Sequence, residues 1–303
     1  MPELPDLTIY CDALERVVVG RRLLRVSLVS PFLLRTVEPP LAEIEGRLLR
    51  AVGLIGKRLV FHLENDCFLL LHLMIAGRLH WKPAGAKIPG KVGLAVFEFA
   101  EGTLLLTEAG SKKRASLHVV RGLAGLDQFR SGGIAPLEAD LSTFQAALAR
   151  ESHTLKRALT DPRLFSGIGN AYSDEILHRA RLSPAKLTSS LSPEETVRLF
   201  EAAQSTLREW IERLREETGD RFPEHVTAFR RGMTVHGRYR QPCPVCSAAI
   251  QRIRYAENEC NYCATCQTGG RLLADRGLSR LLGSDWPKSV EQLEQHKSAT
   301  RTP

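Results

Sequence analysis

The 303-residue sequence contains no apolar run long enough to cross a bilayer, and its start carries no secretory h-region. Both absences predict a cytosolic chain. No internal repeat is found, so a solenoid or other array is not expected. Negative charge is also in short supply: 42 Lys and Arg face 34 Asp and Glu, giving a formal net charge of +8. With a pI near 9.3, such a chain suits a polyanionic partner, nucleic acid being the commonest. Hydrophobic residues make up 43% and charged residues 25%, an ordinary globular balance with room for two domains and a small third module.

Seven cysteines in a reducing compartment do not predict disulfides, and five of them fall between residues 243 and 266. Cys243-Pro-Val-Cys246 and Cys263-Ala-Thr-Cys266 form two Cys-x-x-Cys pairs with sixteen residues between them. Each pair brings two thiolates to one ion from a tight turn, and four thiolates complete a closed tetrahedral site. The pattern predicts one structural Zn2+ per chain, held by Cys243, Cys246, Cys263 and Cys266. Cys260 stands outside this regular pairing as a possible competitor. Between the pairs a β-hairpin is expected with its tip near Glu257-Asn258-Glu259, carrying Arg252 and Arg254 as candidate phosphate contacts.

Periodicity divides the rest of the chain. A short helix at about 6–19 precedes a region rich in strand patterns. Arg58 to Leu63 and Cys67 to His72 flank Glu64-Asn65-Asp66, a hairpin signature, and Leu94 to Phe99 with Thr103 to Leu106 repeat it around Glu101-Gly102. A sandwich or barrel follows. Gly132-Gly133 and Pro136 mark a linker, after which helical spacing takes over. Ser192-Pro193-Glu194-Glu195 reads as an N-cap, a first-turn proline and a capping-box glutamate. Val197, Phe200, Leu207, Trp210, Ile211 and Leu214 then supply one apolar face. The expected segments are 1–125, a linker at 126–141, a helical domain at 142–237, a zinc finger at 238–287 and a structureless tail at 288–303.

Two further motifs carry chemistry. The chain begins Met1-Pro2-Glu3-Leu4-Pro5-Asp6. Removal of Met1 would free a secondary amine whose Schiff base is a permanently charged iminium, with the Glu3 carboxylate beside it. An α-amino group titrates at about 7.7–8.0, so part of it is already a free base near neutrality. Leu164-Phe165-Ser166-Gly167-Ile168-Gly169-Asn170 joins two helical stretches, with Asn170 suited to N-cap a helix from Ala171. Exposed amides at such a helix start bind phosphate, and an Asn side chain adds a donor that reads no sequence.

The start, the glycine–asparagine turn and the cysteine pairs, in that order and at those distances, resemble the formamidopyrimidine-DNA glycosylase/endonuclease VIII family over residues 2–287. Gln267-Thr268-Gly269-Gly270 is similar to the family's C-terminus. The resemblance implies an α+β multidomain fold: an N-terminal β-sandwich with a helix, a helix–two-turn–helix domain and a C-terminal zinc-finger hairpin. It implies a monomer in the bacterial cytosol or nucleoid that acts on damaged DNA as a bifunctional glycosylase and AP lyase. Pro2 would be the nucleophile, Glu3 the proton-handling group, and Lys57 a phosphate or proton-transfer residue. Asn170 and Lys156 would contact the DNA backbone, and Glu175 would be structural. A non-catalytic or lyase-only binder of damaged DNA with the same fold is the alternative.

Three positions depart from the family's pattern. Ile75, with Met74 beside it, occupies the place of the methionine that fills the gap left by the extruded base. The loop Glu108–Ala115 carries Lys112, Lys113 and Arg114 as DNA-contact candidates and lacks the usual phenylalanine. Asn258 stands where a phosphate-clamping arginine is usual. These departures put preference for 8-oxoguanine opposite cytosine in doubt.

Overall fold

The structure is a computed structural model that describes residues 1–224, 226–227, 230–255, 258–274, 283 and 287–299. Its contacts form two compact units, residues 1–132 with 208–228 and residues 133–207 with 229–303.

The first unit opens with α1, Leu4–Val18. Strands β1 (Arg25–Leu28), β2 (Leu49–Ile55), β3 (Arg58–Leu63), β4 (Cys67–His72), β5 (Gly77–Lys82), β6 (Gly93–Glu98), β7 (Thr103–Glu108) and β8 (Ser116–Arg121) follow. They make two four-stranded antiparallel sheets, ordered β1-β6-β7-β5 and β2-β3-β4-β8. Alternation along the strands builds the core: Leu59, Phe61 and Leu63, Leu69 and Leu71, and Leu117 and Val119 of one sheet share a cluster with Ala95, Phe97, Leu104 and Leu106 of the other. Leu7, Tyr10, Leu14 and Val18 of α1 join it. Each such side chain contributes roughly 1.5–3 kcal/mol by leaving water. The second sheet's other face is also buried. Val60, Phe68, Leu70 and Val120 meet Leu126 of α2 (Gly122–Asp127).

The two hairpins expected from sequence form as read, with the register Arg58↔His72 to Leu63↔Cys67 and Glu98↔Thr103. Asn65 and Asp66 both take left-handed φ, which closes the first hairpin. Residues 208–228 belong to this unit because Arg215 bonds Asp12 at 2.8 Å, Glu224 meets Lys82 at 2.8 Å and His80 at 2.9 Å, and Val226 enters the core.

The second unit contains α3 (Leu141–Ala149), α4 (Leu155–Thr160), α5 (Asn170–Arg179) and the first part of α6 (Pro193–Thr218). The capping box of α6 is present: Glu195 N–H donates to Ser192 Oγ at 3.2 Å, and Ser192 N–H to Glu195 Oε2 at 2.9 Å. Its buried face runs through Leu199, Ala203, Leu207, Trp210 and Leu214, while Val197 and Phe200 are only half-buried. Strands β9 (Gln251–Tyr255) and β10 (Asn258–Tyr262) form the expected hairpin, its turn at 256–257 lying outside the described residues. The short α7 (Ala264–Thr268) follows.

The contacts divide the chain differently from the expected segments, and the tail carries structure. The helical region and the finger form one compact unit, and the division falls at 132/133 and again within α6, because the C-terminal half of α6 packs with the sandwich residues. The tail expected to lack structure carries α8, Val290–Ala299. Val290 and Leu293 pack against Ile253, Cys260 and Tyr262, and Leu272 N–H bonds Lys288 O at 2.9 Å. Two apolar residues three apart are a seam too short to stand out as a stripe.

Candidate active site and metal centre

Pro5 falls in the first turn of α1, where the missing N–H costs nothing. Glu3 and Asp6 close a reciprocal capping box, with Glu3 N–H donating to Asp6 Oδ2 at 2.9 Å. Pro2, Glu3 and Asp6 are all buried, Glu3 with 3% exposed. The helix start thus fixes both the direction of the chain end and the carboxylate beside it. Burial lowers the Met1 amine below its ordinary value; Glu3 and Asp6 oppose this, while Arg78 and Lys57 add to it. Four charged side chains therefore act on the amine. Lys57 reaches it from the β2–β3 turn, where Gly56 supplies a φ of +60°. Arg78 escaped the sequence reading; it sits one residue into β5, and only the folding of β5 beside α1 reveals it.

The segment between β4 and β5 is a tight turn closed by Gly77 N–H to Leu73 O at 2.9 Å. Met74 takes a left-handed φ of +51°, and its N–H donates to His72 Nδ1 at 3.1 Å. Ile75 stands at the tip, 54% exposed, and Met74 is half-buried. Arg78 Nη1 bonds the Ile75 carbonyl at 3.2 Å, tying this tip to a residue of the amine site. In the loop after β7, buried Glu108 accepts from Arg114 N–H at 2.9 Å and Ala115 N–H at 3.2 Å. Lys112, Lys113 and Arg114 are all exposed, and Lys113 Nζ also bonds the Glu108 carbonyl.

In the second unit, Gly167 adopts φ +82°, and Gly169, not Asn170, is the N-cap of α5. Asn170 is the first helical residue, half-buried, so its carboxamide is not the cap of its own helix. Lys156, expected on the DNA backbone, makes three bonds within its own unit. Its Nζ donates to Asn170 O at 2.7 Å, Ser173 Oγ at 2.8 Å and Asp174 Oδ1 at 2.6 Å. Asp174 also accepts from His236 Nδ1 at 2.8 Å and Asn261 N–H at 3.1 Å. Burial pushes the Asp174 carboxyl up, but the Lys156 and His236 contacts outweigh it and hold it below the usual range. Glu175, read as structural, accepts the N–H groups of Thr234 at 2.7 Å and of Val235 and His236 at 2.9 Å.

The four paired cysteines converge. Cys243 Sγ lies 3.9 Å from Cys266 Sγ, and Cys246 Sγ 3.4 Å from Cys263 Sγ. His178 joins them from α5: its ring nitrogen and the sulfurs of Cys243, Cys263 and Cys266 all lie within 4.8 Å of one another. Burial raises Cys263 and Cys266 above the ordinary thiol range and lowers His178 to about 4. A packed set of sulfurs with a neutral imidazole is a donor set for a cation of zinc's softness, and the residues fit one. Cys260 is excluded from the set. It is buried on the hairpin's opposite face among Ile253, Tyr262 and Leu272.

Of the hairpin candidates, Arg252 lies over the Tyr239 ring at 4.3 Å and meets Glu259 at 3.4 Å, a scaffold position. Arg254 is exposed. Asn258 pairs with Tyr255 through the backbone, and its side chain lies outside the described residues.

Comparison with known proteins follows this geometry. Residues 1–112 match the family model for the formamidopyrimidine-DNA glycosylase N-terminal domain, and residues 133–221 that for its helix–two-turn–helix domain. The formamidopyrimidine-DNA glycosylase of Pelotomaculum thermopropionicum is 31% identical over 277 residues, covering 88% of this chain and 99% of its own length. A formamidopyrimidine-DNA glycosylase-like protein of Mycobacterium tuberculosis is 39% identical over 160 residues, 53% of this chain and 99% of its own. Among solved structures, the Lactococcus lactis enzyme bound to DNA containing an oxidised pyrimidine superposes with TM-score 0.78 at 24% identity, covering 88% of this chain and all of that one. MutM with DNA containing carbocyclic 8-oxoguanine gives 0.78 at 23% identity over the same share. These two likenesses speak for the fold. The two domain models and the full-length relative go further: the chain belongs to the formamidopyrimidine-DNA glycosylase family.

Proposed function

We propose that this protein is a DNA glycosylase and AP lyase of base excision repair that removes oxidised or ring-opened bases. The observation that carries the reading is the chain's amino end. Pro2 and Glu3 are buried, the Met1 amine beside them is lowered by that burial, and Glu3, Asp6, Lys57 and Arg78 act on it. Once Met1 is removed, the Pro2 nitrogen takes its place in these surroundings one residue further in. Its lone pair attacks C1′ of the damaged nucleotide, and the base leaves with the electrons of the glycosidic bond and a proton. The nitrogen then gives up its proton, Glu3 protonates O4′ and the C1′–O4′ bond breaks, which opens the sugar to the iminium that acidifies C2′. Loss of the C2′ proton expels the 3′ phosphate by β-elimination, and δ-elimination can expel the 5′ phosphate next.

Glu3 is the group for proton transfer at the sugar. Lys57 and Arg78 add to the burial that favours the free amine and offer positive charge to phosphates. Ile75, at the apolar tip of its turn, is the residue we assign to the gap left by the extruded base. Extrusion costs a few kcal/mol of stacking, which such a wedge offsets. Asn170 grips a phosphate, with Lys156 holding its turn rather than touching DNA. Lys112, Arg114 and Arg254 are exposed cations suited to the backbone. The metal is read as structural Zn2+, held by Cys243, Cys246, Cys263 and Cys266, all four positions being filled by protein.

Borohydride trapping tests this. Oligonucleotides carrying an abasic site, a formamidopyrimidine, 8-oxoguanine or an oxidised pyrimidine are incubated with protein and reductant. A covalent adduct at Pro2, located by mass spectrometry, is expected. Absence of an adduct on every substrate overturns the enzymatic reading and leaves a binder of damaged DNA. Equal trapping by an N-acetylated form shows that the nucleophile lies elsewhere.

A further inference from the structure

His178 is not one of the paired cysteines, yet it reaches the same cluster. It lies in the last turn of α5, 5% exposed, with Nε2 3.4 Å from Cys243 Sγ. That is an ordinary separation for an N–H donor and a sulfur acceptor. It also suits two ligands of one ion, so the role must be decided by what the remaining groups do.

A tetrahedral centre takes four ligands, and the local folds of the two cysteine pairs supply four. In the first pair Ser247 adopts φ +62°, its N–H bonds Cys243 O at 2.8 Å, and Cys243 N–H bonds Ala248 O at 2.9 Å. This turn fixes Cys246, whose sulfur receives the Ala248 N–H and lies 3.4 Å from Cys263 Sγ. In the second pair Cys263 caps α7, where Gln267 N–H returns to Cys263 O at 3.0 Å and Gln267 Oε1 accepts Cys263 N–H at 2.8 Å. Both turns are built without His178. It comes instead from an element that begins at Asn170.

We infer that His178 is the outer-sphere hydrogen-bond donor of this centre: its Nε2–H is directed onto the Cys243 thiolate, and this bond couples α5 to the metal. Donation to a metal-bound thiolate withdraws charge from sulfur, slows its attack by electrophiles and stiffens the ligand. Asp174 and Glu175, one turn earlier, hold the same helix to residues 234–236 and to Asn261. Three side chains of α5 thus carry the finger's geometry to the helix whose first residue is Asn170. His178 is a positioning residue and touches no substrate.

The inference rests on reading the thiolates as a metal site, so the metal content of the full-length protein is measured first. Less than one zinc per chain overturns that reading itself. With zinc present, Co2+-substituted wild type is compared with His178→Phe and His178→Gln. Wild type should show a four-sulfur ligand-field spectrum. In His178→Phe that pattern should persist while the thiolate-to-metal charge-transfer band moves to lower energy, and zinc affinity should fall roughly 10-fold, the lower end for an outer-shell loss. His178→Gln, which keeps an N–H near the same place, should recover most of both and serves if the phenylalanine variant fails to fold. Two results overturn the proposal: a three-sulfur, one-nitrogen spectrum in wild type that His178 substitution converts, which makes His178 a ligand, or variants indistinguishable from wild type in both measurements. Neither readout involves DNA, so strand-cleavage chemistry and this bond stand or fall separately.

Discussion

Lys156 Nζ lies 2.6 Å from Asp174 Oδ1, and both side chains are withdrawn from solvent. Asp174 accepts from α4, from the segment before the finger and from β10, so one carboxylate joins three parts of its unit. Removing one partner of such a buried pair leaves the other uncompensated, at a cost of roughly 3–5 kcal/mol. Asp174→Asn should therefore lower the urea midpoint strongly, and Lys156→Met likewise. The double variant should lose less than the sum of the two, because each single change already strands the partner. Additive losses in a double-mutant cycle would show that the pair does not act as a unit. Because Lys156 is engaged by the protein, Lys156→Met should also leave the salt slope of DNA binding unchanged, whereas loss of a direct phosphate contact would reduce it by about one.

That pair also shows where sequence reading stops. The hairpin 58–72 and the capping box at Ser192 were legible because their signals lie within a few residues of one another. The cysteine pairs were legible because two local turns each present two sulfurs. The internal acceptors of Lys156 were not legible because they are 14–18 residues away, on a helix packed against its own. Arg78 and His178 carry no local signature: each reaches its site through the packing of β5 or α5. Asn170 misleads by one position, since Gly169 takes the cap and leaves the carboxamide unused for it.

The charge around the amine predicts a pH profile. Burial lowers the Met1 amine of the unprocessed chain below its ordinary value, Arg78 and Lys57 contribute in the same direction, and the same surroundings should act on the Pro2 amine. The free base is the nucleophile, so trapping on an abasic oligonucleotide should fall as pH drops through the titration of the Pro2 amine. Arg78→Ala removes one lowering charge and should move the titration midpoint up, slowing trapping near neutrality and leaving the alkaline plateau intact. A midpoint unmoved in Arg78→Ala would show that this guanidinium does not act on the reacting nitrogen.

His72 predicts a stability window. Burial, with Arg58, Lys57 and His118 adding to it, lowers the imidazole from 6.5 to about 4, and Nδ1 accepts the Met74 N–H. The unfolded chain binds this proton near pH 6.5 while the folded one resists it to about 4. Stability is therefore lost as pH falls through that interval, by at most about 1.4 kcal/mol per pH unit for one proton. His72→Asn keeps an acceptor near Nδ1 and removes the titration. Its urea midpoint should fall less than that of wild type between pH 6.5 and 4.5. Parallel curves would locate the acid sensitivity in other groups.

The turn that presents Ile75 predicts a split between base removal and strand cleavage. Its backbone is set by Gly77, where an added Cβ would stand 2.3 Å from Leu73 O, and by the left-handed Met74. An apolar tip raised on such a turn helps only when a stacked base must be displaced. Ile75→Ala should slow excision from a duplex carrying an intact lesion by on the order of 10-fold, about 1.4 kcal/mol of the few that extrusion costs. On a preformed abasic site there is no base to extrude, and trapping should change little. Met74→Gly should raise stability slightly if the left-handed φ is strained, and leave excision near wild type. Single-turnover assays on the two substrates distinguish the outcomes. Equal slowing on both by Ile75→Ala would mean that the tip supports the sugar chemistry or general DNA binding rather than filling the gap.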